Sequence, residues 1–281
     1  MMPIIDSHHH FWDFDPAEYG WIDDRMEVLK RDFGPDDLRK VMDKSGVAGA
    51  ISVQARQSLE ETHWLLNLAQ ENDFVRGVVG WVNLQDPQVG ATLDILAGKP
   101  LLKGVRHVLQ GETTDELILS ERFNQGIEQL APRNLVYDIL IKGHQLSGAI
   151  HLVDRHPEQT FVLDHIAKPR VSAAAFDEDW AEHFRKLAER PNVFCKFSGV
   201  LTEVTDSEWS LEMVLPYWET ALEAFGVDRL MFGSDWPVGL VRAAYEEWIT
   251  MVRDLSSDLS AEETAAVFGG NALKAYGLAK S

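Results

Sequence analysis

Eight short, β-rich apolar runs alternate with segments that carry helical signals, and this alternation constrains the chain more than any other feature. The runs fall at 3–7, 49–55, 76–82, 103–108, 135–141, 160–164, 193–198 and 229–233. Most are nearly continuous in apolar residues, as in "NLVYDILI" and "QTFVLD". Strands covered by helices on both faces read this way. Between them, Pro35 and Pro87 stand at expected first helical positions, with Asp86 as the expected cap of the second helix. Ser58-Leu59-Glu60-Glu61 and Ser260-Ala261-Glu262-Glu263 fit the capping box, in which serine and glutamate each satisfy an orphan backbone donor. Gly46 and Gly226 fall where left-handed helix stops are expected. "EETHWLLNLA", "RFNQGIEQL" and "WAEHFRKLAE" space their apolar residues at the helical period.

This pattern predicts an α/β fold, a (β/α)8 TIM-type barrel, as one domain over residues 1–281. The rival open, doubly wound sheet usually has fewer strands and a glycine-rich phosphate turn, and neither nucleotide-loop motif follows any run. Residues 8–35, rich in Trp, Asp and Tyr, are expected as a loop insertion over the barrel mouth. Residues 257–281 are expected to supply a C-terminal helix and tail.

A formal net charge of −19 would repel nucleic acid and anionic membranes, and no basic block offsets it. No apolar run approaches the ~18 residues that would span a bilayer. The first residues lack a signal pattern, and a single cysteine, Cys195, excludes an internal disulfide, so a cytoplasmic location is the expectation. Cys195 lies within a predicted strand and is expected as buried packing. A homo-oligomer stays open.

In a barrel the chemistry sits at the carboxyl ends of the strands. Strand 1 ends in His8, His9 and His10. Alternation puts His8 and His10 on one side, where two imidazoles can converge, and turns His9 away. Gln54 and Arg56 follow strand 2, and Arg106-His107 ends strand 4. Asp164-His165 ends strand 6 with Lys168 beyond it, strand 7 contains Lys196 and Ser198, and Asp235-Trp236 follows strand 8. Such a set suits hydrolysis: a carboxylate can activate water, neutral imidazoles can hold a cation or donate to an oxyanion, and cations can orient a carbonyl. In so acidic a chain, Arg56, Arg106 and Lys168 suggest a locally positive mouth. Asp235 could instead cap the next segment, but strand 8 borders strand 1 in a closed barrel, which favours catalysis. Which face of strand 7 points inward is not decided by its sequence. His63, His144, His151, His156 and His183 are expected in structural or surface roles.

The blocks "DSHHHFW", "VQARQSLEETHWLL", "KGVRHVLQ", "LDHIAKP", "CKFSG" and "LMFGSDWPV" resemble, in this order, the amidohydrolase superfamily. More narrowly, they resemble its sugar-lactone hydrolases of the L-fuconolactonase and L-rhamnonolactonase type. The resemblance covers residues 4 to about 275. It implies a distorted barrel in which His8 and His10 match the strand-1 H-x-H, His165 the later histidine and Asp235 the strand-8 aspartate. Binuclear members add a bridging lysine or carboxylate on strand 4 and a histidine on strand 5, which Arg106-His107 and "LVYDILI" do not provide. One divalent metal or none is therefore implied. A single Zn²⁺ would take its ligands from His8, His10, His165 and Asp235.

The expected reaction is the opening of a sugar (aldono) lactone to its hydroxy acid. Asp235 takes a proton from water, and His8, His10 and His165, alone or through one metal ion, stabilise the oxyanion. Arg56, Arg106, His107 and Lys168 are expected to bind substrate, and Trp236 with the Trp12/Trp21 loop to stack on the sugar. The alternatives are a metal-dependent decarboxylase, a lactonase for muconate- or pyrone-type acids, and a barrel that binds a sugar acid without turnover.

Overall fold

In the computed structural model, which describes residues 2–279, eight parallel strands pair in sequence order. They are β1 (Ile5–His9), β2 (Gly49–Val53), β3 (Val75–Gly80), β4 (Leu102–Val108), β5 (Val136–Leu140), β6 (Phe161–Leu163), β7 (Val193–Phe197) and β8 (Leu230–Phe232). Each expected run forms its strand, with ends moved slightly. Helices follow as α1 (Pro35–Ser45), α2 (Leu59–Glu71), α3 (Val89–Ala97), α4 (Glu116–Leu119), α5 (Glu121–Ile127), α6 (Leu146–Arg155), α7 (Glu178–Ala188), α8 (Leu211–Phe225) and α9 (Tyr245–Leu255). The chain ends through α10 (Ala261–Ala265) and α11 (Asn271–Ala275). The expected (β/α)8 barrel is the observed architecture. No helix among the described residues is long and apolar enough to cross a membrane.

Most helix signals act as expected. Pro35 opens α1, and Gly46 closes it at φ 70°. The Ser260 capping box is complete. The Ser58 box is half made: Ser58 Oγ accepts from Glu61 N at 3.1 Å, but the Glu61 carboxylate accepts from Ala55 N and Arg56 N instead. Glu61 thereby ties the loop after β2 to α2. One expectation is corrected: α3 begins at Val89, not Pro87. Asp86 Oδ1 accepts from Gln88 N at 2.8 Å, so Asp86 and Pro87 build a turn ahead of the helix.

Two apolar cores follow from strand alternation. Inside the barrel, Ile5, Ile51, Val79, Val136, Val162 and Met231 meet Tyr276 and Leu278 from the segment after α11. Outside it, residues such as Phe123, Tyr137, Phe161 and Phe184 join sheet to helices.

The barrel's distortion is the seam between β8 and β1, where an isolated bridge, His9 to Trp236, is the pairing among the described residues. Asp235 N donates to His8 O at 2.8 Å, and His10 N to Trp236 O at 2.7 Å. Side chains close the rest. Ser7 Oγ donates to Phe232 O at 2.6 Å. Fully buried Asp6 accepts from His8 N, Ser234 N, Ser234 Oγ and Tyr245 OH. Asp6→Ala would orphan these donors at roughly 1–3 kcal/mol for each group left unsatisfied. A Tm drop of roughly 6 °C or more is expected. Thermal unfolding followed by circular dichroism checks this, and a Tm within about 2 °C of the parent would show that the seam is held by other contacts.

Candidate active site

The site begins with a β-bulge. Ile5 and Asp6 pair with Gly49 and Ala50, but His9 pairs with Ser52, so β1 carries one extra residue. The bulge breaks strict alternation. Ile5 and His8 both point into the barrel, which simple alternation would not allow. His9 turns outward as expected, where its ring packs edge-on against Phe11 and its Nε2 bonds to Ser52 Oγ at 2.9 Å. His10 Nδ1 donates to Val53 O at 2.8 Å, because a carbonyl can only accept.

His165 and Asp235 come from strained turns. His165, Ile166, Ala167 and Lys168 have consecutive positive φ values, and Asp235 has φ 56°. Such backbone is sparsely populated for non-glycine residues and persists where the surroundings over-determine it. Here Asp235 N is held by His8 O, and His165 Nδ1 bonds to Ser198 Oγ at 2.9 Å. Both side chains then face His8 and His10. Asp235 Oδ1 lies 3.8 Å from His8 Nε2, 3.4 Å from His10 Nε2 and 3.9 Å from His165 Nε2. His8 Nε2 and His10 Nε2 are 3.2 Å apart. Gly199, at φ 64°, forms the wall: a Cβ there would sit 2.7 Å from His165 Nδ1 and 2.8 Å from Asp235 Oδ2.

Beneath the mouth lies a buried charged layer. Lys196, on β7, is fully buried with its Nζ 2.6 Å from Asp138 Oδ2, 2.9 Å from Asp164 Oδ1 and 3.2 Å from His8 Nδ1. Arg106 donates to Asp164 Oδ2 at 2.8 Å and to Gln54 Oε1 at 2.7 Å. Tyr276 OH reaches up from the C-terminal segment to Asp138. Two cations thus match two carboxylates. Burial opposes ionisation of Asp164, but Lys196, His8 and Arg106 outweigh it and hold the carboxyl well below its usual range. Burial pushes the His8 imidazole well below the ordinary histidine range, and His165 to about 4. For Asp235, burial is outweighed by His165, His10 and His8, so the carboxyl titrates below its usual range.

The structure brings His8, His10, His165 and Asp235 together as expected. The locally positive mouth is corrected. Arg56 pairs with Glu18, Arg106 with Asp164, and Lys168 with Glu203 at 3.0 Å, so each expected cation has its own carboxylate. His107 sits outside the cluster, where its Nδ1 accepts from Trp81 Nε1 at 3.2 Å and its ring lies edge-on to Phe123. Trp12 is fully buried against Phe33 and Tyr19, which corrects its expected stacking role. Trp236, edge-on to Phe11 and Phe33 and 3% exposed, acts as a wall. Asp138, Glu203, Glu18, Tyr276 and Gly199 escaped the sequence reasoning. Asp138 shares a strand face with Val136, a signal that becomes useful once the inward face is known.

Three of the mouth groups, His8, His10 and Asp235, also fit a metal ion. In a tetrahedral zinc site with bonds of ~2.0–2.1 Å, donor atoms stand roughly 3.3–3.4 Å apart. The separations among these three groups run from 3.2 to 3.8 Å. His8, His10 and Asp235 form one possible ligand group, and His8, Asp164 and His165 a second.

A parallel eight-stranded barrel whose carboxyl-end rim gathers three imidazoles and a carboxylate defines a hydrolase-type barrel enzyme. The chain belongs to the amidohydrolase family, whose model matches residues 5–278. A relative from Burkholderia multivorans, an L-fucono-1,5-lactonase, is 39% identical, covering 98% of this chain and 96% of its own length. Another L-fucono-1,5-lactonase, from Burkholderia ambifaria, is 34% identical over 97% of this chain and 94% of its own. A crystal structure of a Burkholderia multivorans amidohydrolase with bound zinc superimposes with a TM-score of 0.94 at 38% identity, covering 99% of this chain and 100% of that one.

Proposed function

We propose that this enzyme is a lactonase that opens a sugar lactone, L-fucono-1,5-lactone or a close aldonolactone, to its hydroxy acid. The observation that carries this is the mouth cluster, in which Asp235 is the carboxylate faced by imidazoles rather than by a cation. Asp164 and Asp138 are held by Arg106 and Lys196, and Glu203 by Lys168. A carboxylate matched to a lysine or arginine has its oxygens committed, whereas Asp235 has no such partner and keeps an oxygen open to a water. The two full-length relatives named for the same reaction support the substrate class.

Water held by Asp235 attacks the ring carbonyl from the side of Gly199. The Nε2 edges of His8 and His165, when they carry the hydrogen, stabilise the charge that develops on the carbonyl oxygen, whereas His10 uses its hydrogen on Val53 O and presents a bare Nε2 that can accept from the attacking water. Asp235 then returns its proton to the leaving ring oxygen. A divalent ion, zinc first among them, would be held by His8, His10 and Asp235 and would supply Lewis-acid polarisation of the carbonyl. Arg106 sets the cluster from below. Lys168 with Glu203 is the pair proposed to meet ring hydroxyls.

The test is a pH-indicator assay with L-fucono-1,5-lactone and a panel of aldonolactones. Acid release from an aldonolactone is the expected result, and none from any member would end the proposal. The pH profile is a second check. With His165 held at about 4 and His8 pushed well below the ordinary histidine range, these two imidazoles are neutral from pH 8 down to about 5. kcat/KM is expected to stay level across that range and to fall as the pH drops through about 4. A limb near 6.5, the ordinary histidine value, would mean that these rings are not the buried neutral groups described.

A further inference from the structure

Lys196 Nζ, fully buried beneath the mouth, has three close neighbours. They are Asp138 Oδ2 at 2.6 Å, Asp164 Oδ1 at 2.9 Å and His8 Nδ1 at 3.2 Å. An ammonium has three hydrogens, so these neighbours together fix where it sits. Arg106 Nη1 approaches the same two upper groups from another side, 3.4 Å from His8 Nε2 and 2.8 Å from Asp164 Oδ2. His8 and Asp164 are therefore braced between two cations. Arg106 is anchored near the mouth, by Gln54 just past β2. Lys196 is anchored from below, by Asp138.

That lower anchor is held from the far end of the barrel. Asp138, on β5, is fully buried, and its two oxygens lie 2.9 and 2.8 Å from Tyr276 OH. Tyr276 comes from the segment after α11 that packs into the barrel interior with Leu278. Its ring centre lies 5.5 Å from Lys196 Nζ. A buried phenol needs a partner, and a hydroxyl donating to a carboxylate makes one of the stronger hydrogen bonds. Hydroxyl, carboxylate and ammonium thus form a buried column that ends at His8 and Asp164.

We propose that Tyr276 and Asp138 are positioning residues for the reaction: they set the Lys196 ammonium, and through it the places of His8 and Asp164. Turnover then depends on a hydroxyl below the charged layer, on the side away from the substrate. The proposal rests on the mouth being the reacting site, as read above.

Two measurements test it. The first needs no substrate: nitrogen-15 spectra of the histidine rings in the parent and in Tyr276→Phe, with His8 assigned against His8→Asn. Phenylalanine keeps the ring beside the ammonium and removes the hydroxyl. The His8 signals are expected to move, and those of His156, bonded to Asn124 away from the column, to stay. Unmoved His8 signals, or equal movement of both rings, overturn the proposal.

The second is steady-state kinetics on the best aldonolactone, with Tm alongside. Tyr276→Phe is expected to lower kcat roughly tenfold and Asp138→Asn about 10- to 100-fold, with KM changed by less than about twofold, as for loss of partners that orient a reacting group. The double variant is expected to be no slower than Asp138→Asn alone, because the hydroxyl acts through the carboxylate. Leu278→Ala is the control: it removes packing from the same segment and should lower Tm while keeping kcat. Losses in the two single variants that simply multiply overturn the proposal. So does a kcat loss in Leu278→Ala as large as that in Tyr276→Phe. Should Asp138→Asn fail to fold, Tyr276→Phe against Leu278→Ala decides. If the parent opens no lactone but the His8 signals move as expected, the substrate reading fails and the column stands.

Discussion

Asp235→Asn is expected to lower kcat/KM by about 10²- to 10⁴-fold, the range for loss of a positioned general base. The fold should survive. Asn is similar in shape and is among the residues that tolerate the left-handed backbone found at φ 56°. The seam bond from residue 235 N to His8 O is made by backbone and does not depend on the side chain. What the variant loses is the oxygen that faces His8, His10 and His165 at 3.4 to 3.9 Å. An amide at that place cannot take a proton from water. The check is steady-state kinetics on the best aldonolactone, with circular dichroism alongside. Near-parental turnover in a folded Asp235→Asn protein would remove this residue as the base.

Gly199→Ala is expected to cut kcat/KM by roughly 10²-fold or more, since displacement of about 1 Å in a reacting constellation has effects of that size. The new Cβ would meet His165 Nδ1 at 2.7 Å and Asp235 Oδ2 at 2.8 Å, so both must shift. The left-handed backbone adds roughly 1–2 kcal/mol of destabilisation. Gly46→Ala is the control: it has φ 70° with nothing within 4 Å of the new Cβ. It should lose stability to a similar degree and keep its kinetics. Parental kinetics in Gly199→Ala would show that the wall is not in contact with the reacting groups.

Much of the fold was legible because buried parallel strands have a simple signature. Continuous apolar runs, caps and stop glycines each report a local preference, and eight of them in alternation leave few architectures. The mouth residues were legible for a related reason. His8, His10, His165 and Asp235 all end strands, and strand ends are where a barrel places chemistry. The cations misled. Arg56, Arg106 and Lys168 stand at strand ends too, but their charges are cancelled by Glu18, Asp164 and Glu203, which come from other parts of the chain. The α3 start at Val89 was missed because Asp86 serves a turn with the same hydrogen bond it would use as a cap.

The sequence by itself determined the element order, the barrel, and which polar side chains reach its rim, because these depend on periodicity and on chemistry within a few residues. Only the tertiary structure decided which face of each strand turned inward and who met whom there. Lys196 became a buried cation under His8, Asp138 met Tyr276, and Asp6 locked to Ser234 because ring closure joined residues far apart in the chain. Alternation states which side chains share a face, but the bulge in β1 and the unladdered seam choose the direction. Both arise from how eight twisted strands close, which no local stretch encodes.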